Sequence, residues 1–171
     1  MGSAKKDLRE LLAEYHDSDE STGSFTLLET GKSIALVATA IRNPSGKLVK
    51  IEPALDQSIH LLGDEATPTE RLQSLVAALS TKTKTKLEAA PPMKFDWVFA
   101  GNGNKRSWPE DRGPAREVLL RFMEASTVPL IYHLYCQPNP DAKDGFCALN
   151  LTRQLVEVEN ESGNRVLRFL Q

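Results

Sequence analysis

Apolar residues near the start of the chain recur with the period of an amphipathic helix. Leu8, Leu11, Leu12 and Tyr15 fall at positions i, i+3, i+4 and i+7, which lie on one helical face. The intervening positions are mostly charged. The pattern predicts a first helix over residues 4–16, followed by a polar linker that reaches residue 23.

A second helical pattern carries the clearest start signal in the chain. Thr67 supplies an N-cap, Pro68 occupies the first helical position, and Glu70 stands where a capping box places its carboxylate. These residues predict that a second helix begins at Pro68. Its buried stripe consists of Leu72, Leu75, Val76 and Leu79.

The third helical pattern begins between Ser107 and Asp111, both of which are good capping residues. Proline is tolerated only in the first turn of a helix, so Pro114 favours a start at Asp111. The apolar stripe of this helix consists of Ala115, Val118, Leu119 and Phe122.

Strand patterns occupy most of the remaining chain. The run 34–41 is apolar at consecutive positions, which predicts a central strand covered on both faces. Turn residues separate the first four strands, which we expect to form an antiparallel meander. The predicted strands cover residues 25–29, 33–42, 47–52 and 58–62 before the second helix, 95–100 before the third, and 128–136, 146–151, 155–159 and 165–170 after it.

The strands come in groups and do not alternate strictly with helices, which favours the α+β class. We predict a mostly antiparallel sheet of about seven to eight strands with three helices. The 171 residues are the size of one domain. The prediction is a single domain over residues 1–171, in which a helix and linker (1–23) precede a sheet-rich body (24–171).

Composition narrows the classes of partner. The net charge of −2 gives the chain no general attraction to nucleic acid or acidic lipid. No apolar run is long enough for a membrane span, and the N-terminal residues lack the apolar core of a signal peptide. We therefore expect a soluble, cytoplasmic protein. A cross-strand contact between Cys136 and Cys147 is geometrically plausible, but two cysteines fit a reducing compartment, which argues against a disulfide between them.

The loop at residues 101–109 and the start of the third helix form the main candidate for a ligand or partner site. Glycine and asparagine before a helix can present backbone N–H groups to an anion, arginine and lysine add charge, and tryptophan can stack on a ring. Neither the phosphate-loop motif nor the dinucleotide fingerprint is complete. The candidate residues are Asn102, Asn104, Lys105, Arg106, Trp108 and Arg112.

Two other constellations are weaker. His133 and Cys136 resemble a nucleophile pair, or two zinc ligands with Cys147, but residues three apart on a strand point to opposite faces. No catalytic residue, metal site or cofactor is predicted. The lysines of residues 81–86 lie in a frayed helix end, an edge strand or a loop, and no aromatic residues interleave with them as single-strand binders require.

These patterns favour a non-enzymatic protein–protein interaction or adaptor module, because no complete catalytic motif is present. The strand 165–170 is expected at a sheet edge, where a partner strand could add to it. The alternative is a domain that binds a phosphate or nucleotide-like small molecule, or a small enzyme, using residues 101–112. A third interpretation, nucleic-acid binding through residues 82–86, is disfavoured by the charge balance.

Overall fold

The computed structural model describes residues 2–18, 21–30, 33–43, 45–92, 94–101, 103–137, 145–159 and 165–169. These residues form three α-helices and twelve strands, and all but one of the strand pairings are antiparallel. The predicted α+β class is confirmed. The chain divides into two compact units, Met1–Asp56 and Gln57–Gln171. The single domain over residues 1–171 stays a prediction.

The N-terminal unit is a helix followed by a three-stranded antiparallel meander with β2 in the centre. The predicted first helix and first three strands are confirmed, although the third strand is only three residues long. The elements are α1 (Gly2–Asp17), β1 (Gly23–Thr30), β2 (Ser33–Arg42), β3 (Leu48–Lys50) and a short 3₁₀ helix (Ala54–Asp56).

Strand β2 alternates between buried and exposed side chains. Ala35 and Val37 are buried, whereas Ile34 and Leu36, which point to the other face, are 37% and 59% exposed. The prediction that this strand is covered on both faces is therefore wrong for one face. A continuous apolar run predicts a strand, but it does not show whether other secondary-structure elements cover both faces of that strand.

The C-terminal unit distributes its strands among four small sheets, of orders β6-β10-β9, β4-β8, β5-β7 and β11-β12. Strand β6 runs parallel to β10. The elements are β4 (Ser58–Leu61), β5 (Asp64–Ala66), α2 (Pro68–Thr83), β6 (Lys86–Ala90), a 3₁₀ helix (Phe95–Val98), β7 (Arg106–Trp108), β8 (Asp111–Pro114), α3 (Ala115–Glu124), β9 (Leu130–Gln137), β10 (Phe146–Arg153), β11 (Leu155–Glu159) and β12 (Arg165–Phe169).

Two long-range pairings correct the predictions for residues 58–62 and 106–114. Strand β4 pairs with β8 and does not extend the meander, and β5 pairs with β7. Helix α3 begins at Ala115, not at Asp111, because the backbone of β8 is engaged by β4. Pro114 stands at the N-cap, where its missing N–H leaves no bond unmade.

The predicted aromatic strand at residues 95–100 is wrong, since Phe95–Val98 is a 3₁₀ helix. Phe95 and Phe99 both pack on Phe122 and are almost fully buried. Phe99 follows the turn in an extended conformation, and a short run of apolar residues gives no periodicity that distinguishes such a turn from a strand.

Residues 81–86 were predicted to form a helix end, an edge strand or a loop, and they contain both a helix end and the start of a strand. Helix α2 continues to Thr83 and ends at Lys84 in the left-handed conformation, after which β6 begins at Lys86. The stripes predicted for α2 and α3 are buried. Together with β10 they supply most of the fully buried side chains of this unit, including Leu72, Leu75, Leu79, Val118, Leu119, Leu149 and Leu151.

Cys136 and Cys147 form a disulfide, contrary to the expectation from composition. The register of β9 and β10 places the two residues directly opposite each other, with Cα atoms 4.1 Å apart. Opposed side chains on neighbouring antiparallel strands share a face. The pairing follows from the strand register, about which the number of cysteines says nothing.

The start of α2 is held by the predicted capping box. The Thr67 hydroxyl accepts the Glu70 N–H, and the Glu70 carboxylate accepts the Thr67 N–H at 2.8 Å. This backbone bond lowers the pKa of Glu70 below its ordinary value of 4.5. Its contribution to stability is therefore complete above that value and is lost as the pH falls through the lowered pKa.

Replacing Thr67 with Ala is expected to lower the free energy of unfolding by about 1 kcal/mol, because the Glu70 N–H loses its acceptor. Urea unfolding measures the change. Thr81→Ala is the control, because the Thr81 hydroxyl only back-bonds to the Ala77 carbonyl on the exposed surface of the same helix. Equal losses in the two variants would contradict the capping role.

Among the described residues, no helix has the length and apolar character needed to cross a membrane.

Candidate functional site

Asn104 and Lys105, in the first part of the predicted glycine loop, are exposed to solvent. Asn102 lies outside the described residues. The Asn104 N–H donates to the Gly101 carbonyl at 3.1 Å, which closes a turn, and the Asn104 side chain is exposed. The Lys105 ammonium lies 3.9 Å from a Glu70 carboxylate oxygen. These residues do not converge on a cavity.

The second part of the loop turns inward. Arg106 and Trp108 are two apart on β7 and point to the same side. The Arg106 guanidinium lies over the Trp108 ring, 4.6 Å from its centroid, and the Trp108 indole N–H donates to the Ala66 carbonyl at 3.0 Å. Trp108 is buried and joins the aromatic cluster of Phe99 and Phe122. It is part of the core and not an exposed stacking platform.

Arg112 belongs to a separate surface cluster. Its register partner on β4 is His60, and both side chains contact the Glu110 carboxylate, at 2.6 Å and 3.0 Å. Hydrogen bonds from Arg112, and then from His60, lower the pKa of Glu110. Of the sequence-predicted residues that the structure describes, only Arg106 and Trp108 are brought together at a cavity.

That cavity has a volume of about 240 Å³ and lies between β7, β8 and the two longer helices of this unit. Its apolar wall comes mainly from β4, α2 and α3, with Trp108 and Phe122 supplying the aromatic rings. The charged side chains that border it are Arg71, Arg106, Glu110, Asp111 and Arg121. A larger depression of about 470 Å³ follows residues 50–53, but four consecutive residues line it and no second element contributes to it.

Arg71 is buried, and sequence reasoning missed it. Its guanidinium donates to the backbone carbonyls of Leu62 and Pro109, at 2.6 Å and 2.8 Å, and to Asp64 at 3.2 Å. The Leu62 carbonyl lies between β4 and β5, and the Pro109 carbonyl lies between β7 and β8. The Arg71 side chain therefore connects the two segments that join these strands. The available signal was a charged residue four positions before Leu75, on the apolar side of α2.

Arg121 is also paired. It binds both carboxylate oxygens of Asp111, the shorter contact being 2.6 Å, and lies 3.6 Å from Glu117. The hydrogen bond that Arg121 donates to Asp111 raises the pKa of Arg121. Two of the three arginines at the cavity therefore already have carboxylate partners.

Arg106 differs from the other two. Its Nη1 atom is buried and, within the part of the chain that is described, has no hydrogen-bond partner. Its neighbour Lys105 is held outward near Glu70, so only one of the two consecutive basic residues reaches the cavity. Of the three arginines that border the cavity, Arg106 is therefore the one that has no carboxylate partner among the described residues.

The other candidate constellations are dispersed. Lys82 lies in the last turn of α2, Lys84 follows that helix, and Lys86 begins β6 and pairs with Glu88. His133 is exposed and stacks on Tyr135. Cys136 is bonded to Cys147, so it offers no thiol in this structure.

A second candidate surface lies on the N-terminal unit. Leu36 and Ile34 of β2 stand opposite Leu27 and Glu29 of β1, on one face of the sheet. Helix α1 reaches the β1 side of this face, where Arg9 contacts Glu29 at 2.8 Å. Several large aliphatic side chains remain exposed. We define the N-terminal apolar surface as Leu8, Leu11, Ile34, Leu36 and Leu48.

The backbone edge of β1 is partly occupied by the helix. The Phe25 N–H donates to His16 Nε2 at 2.9 Å, and the Thr22 N–H donates to the Tyr15 hydroxyl at 2.6 Å. At the other edge of the sheet, β3 is three residues long and ends in Lys50. Short edges and lysines disfavour the addition of another strand. What this unit offers is its apolar side chains.

Comparison with protein-family models, curated proteins and solved structures finds no match. In the described residues, no group of three or more His, Cys, Asp or Glu side chains is placed to hold a metal ion. The cavity beside Arg106 and the N-terminal apolar surface are therefore the basis for a functional proposal, in place of similarity to a known fold.

Proposed function

We propose that the chain is a non-enzymatic protein–protein interaction module whose partner binds the N-terminal apolar surface. The observation that carries the proposal is the exposure of large aliphatic side chains on a small unit: Leu11 and Leu36 are each about 60% exposed. Several large exposed aliphatic side chains on one small unit mark an interaction site more often than a single exposed residue does.

The expected contact is made through side chains. Helix α1 binds backbone groups of β1, and β3 pairs only with residues 40–42 of β2, so we expect the partner to contact mainly the side chains of the sheet face. Leu36 and Ile34 project from the sheet face. A partner with a complementary apolar helix face or sheet face would bury them, as in helix-in-groove recognition.

Charges at the border of this surface favour a polar rim around an apolar centre. Arg9 and Glu29 pair beside Ile34, and Lys50 lies at the end of β3. Central aliphatic residues surrounded by such groups have the anatomy of an ordinary protein interface. The non-enzymatic part of the proposal rests on the lack of a complete catalytic motif in the sequence.

Strand β12 is a second candidate contact surface, distinct from the N-terminal apolar surface. It pairs with β11 in a two-stranded antiparallel sheet. The edge that the sequence suggested for a partner strand therefore belongs to a hairpin. Its side chains, apart from Arg165, lie outside the description, and the proposal does not rest on them.

A cytoplasmic location is the remaining part of the proposal. There glutathione would keep Cys136 and Cys147 largely reduced, whereas an oxidising compartment would preserve the disulfide. Alkylating the thiols during lysis and measuring the peptide masses decides between the two. A pair that resists alkylation would contradict the cytoplasmic location.

The proposal predicts that the double variant Leu11→Ser, Leu36→Ser loses the protein partner. The tagged wild-type chain should recover one partner at a fixed ratio from native extract. The double variant should recover at least tenfold less, because losing central apolar contacts costs about 1–2 kcal/mol or more each. Quantitative mass spectrometry of the recovered proteins measures the ratio.

Leu62→Ser is the matched control, because Leu62 is 69% exposed but belongs to the C-terminal unit. It should recover the partner as the wild type does. Circular dichroism must show that all variants remain folded. Recovery of the same partner by the double variant, or the absence of any stoichiometric partner for the wild type, would contradict the proposal.

A further inference from the structure

The charged side chains around the cavity beside Arg106 differ in whether they have a partner of opposite charge. Arg71 is engaged by Asp64 and two carbonyls, and Arg121 is engaged by Asp111. Glu110 is engaged by Arg112 and His60 on the outer side. Each of these charges has an opposite charge within hydrogen-bonding distance. Arg106 instead lies over the Trp108 ring and keeps a buried Nη1 donor without an acceptor.

Arg71 and Arg121 are compensated by carboxylates, whereas the Arg106 guanidinium has no such partner among the described residues, and an anion that enters the cavity would supply one. The ring contact holds the guanidinium in place before any ligand arrives. An acceptor would therefore find a cation that is already positioned, which reduces the entropy lost on binding.

We infer that this cavity binds a small organic monocarboxylate, with its carboxylate on Arg106 and its apolar body against Trp108, Phe122 and Val118. The inference is independent of the partner-binding proposal, since all the cavity residues belong to Gln57–Gln171. Carboxylates are natural acceptors for guanidinium N–H groups, and aromatic and aliphatic walls accept an apolar body.

The same features disfavour a phosphate. A dianion needs several donors, but the guanidinium groups of Arg71 and Arg121 are already engaged. The carboxylates of Glu110 and Asp111 also border the cavity, so their repulsion of the ligand grows with its charge and disfavours a dianion more than a monoanion. The volume of about 240 Å³ is below that of most pockets for drug-sized ligands, so the ligand is small.

Benzoate is a suitable probe, and the two tryptophans provide an internal comparison. Trp108 lines the cavity and is buried, whereas Trp97 is 62% exposed and lies elsewhere, under Lys94. In a ¹H–¹⁵N spectrum of the full chain, benzoate should shift the indole N–H resonance of Trp108 in a saturable way. The Trp97 resonance should stay in place.

Variants of consecutive residues test the role of charge. Arg106→Gln should weaken benzoate binding at least tenfold, because it removes the cation that receives the carboxylate. Lys105→Gln is the control, because Lys105 faces Glu70, and its dissociation constant should match that of the wild type. The remainder of each spectrum reports whether the variant is folded.

Two further ligands keep the inference falsifiable on the wild-type chain, even if Arg106→Gln does not fold. Benzyl alcohol has a similar size but no charge, and it should bind at least tenfold more weakly than benzoate. Phenyl phosphate should also bind more weakly. Equal binding of the alcohol, tighter binding of the phosphate, or an unmoved Trp108 resonance would each overturn the assignment.

Discussion

Replacing Arg71 with Met is expected to lower the free energy of unfolding by about 2–5 kcal/mol, because two backbone carbonyls lose their donor. The Arg71 side chain is almost completely buried, and its guanidinium donates to Leu62 and Pro109 at 2.6 Å and 2.8 Å. Methionine fills much of the space but donates no hydrogen bond. Urea unfolding followed by tryptophan fluorescence measures the loss.

Arg112→Met is the control for this prediction. Arg112 is exposed on β8, and its contact with Glu110 is a surface ion pair, which is worth at most about 1 kcal/mol. If Arg71→Met costs no more than Arg112→Met, then Arg71 does not hold the junction of β4, β5, β7 and β8. If the cost is large, the buried guanidinium is a structural link between the two strand pairs.

Replacing Phe99 with Ala is expected to cost about 3–5 kcal/mol of unfolding free energy, the usual range for truncating a buried aromatic residue. Phe99 is 1% exposed. Its ring centroid lies 5.3 Å from that of Phe95, 5.1 Å from that of Phe122 and 6.1 Å from that of Trp108. Removing the ring leaves a cavity at the centre of this cluster and takes away its edge-to-face contacts.

Trp97→Ala provides the matched comparison two residues away. Trp97 is mostly exposed, and the Lys94 ammonium lies 5.7 Å from the centroid of its ring. Its removal should cost under about 1 kcal/mol. Denaturation midpoints that fall equally in the two variants would mean that the ring cluster is not the centre of the C-terminal core.

Local signals predicted the elements whose stability is local. The capping box fixed the start of α2 because Thr67 and Glu70 bond to each other's backbone, and this bonding is encoded within four residues. The buried stripe of α3 was likewise visible at helical spacing. Strands β9 and β10 were recognised because each is long and apolar, with turn-forming residues between them.

Long-range pairing could not be predicted from these signals. Strand β8 forms because Asp111 and Arg112 pair with Leu61 and His60 of β4, which lie fifty or more residues earlier in the chain. No local periodicity encodes such a register. Without this pairing, Asp111 has the character of a helix cap, which is why the start of α3 was placed four residues too early.

The candidate site was only partly accessible to sequence reasoning. Residues 101–112 were identified as one loop, but the strand geometry of β7 sends Arg106 and Trp108 inward, and Lys105 lies near Glu70. The cavity depends on Arg71 and Arg121, which are contributed by two different helices. The exposure of Leu36 was also hidden, because an apolar strand residue gives no indication of what covers it.

The most direct test of the central claim is hydrogen–deuterium exchange of the chain, alone and in its purified partner complex. The account predicts that the partner slows exchange in peptides from α1 and β2, with little change in residues 101–112 and in the β11–β12 hairpin. Slower exchange confined to β11 and β12 would place the contact on the hairpin edge and contradict the claim that the N-terminal apolar surface binds the partner.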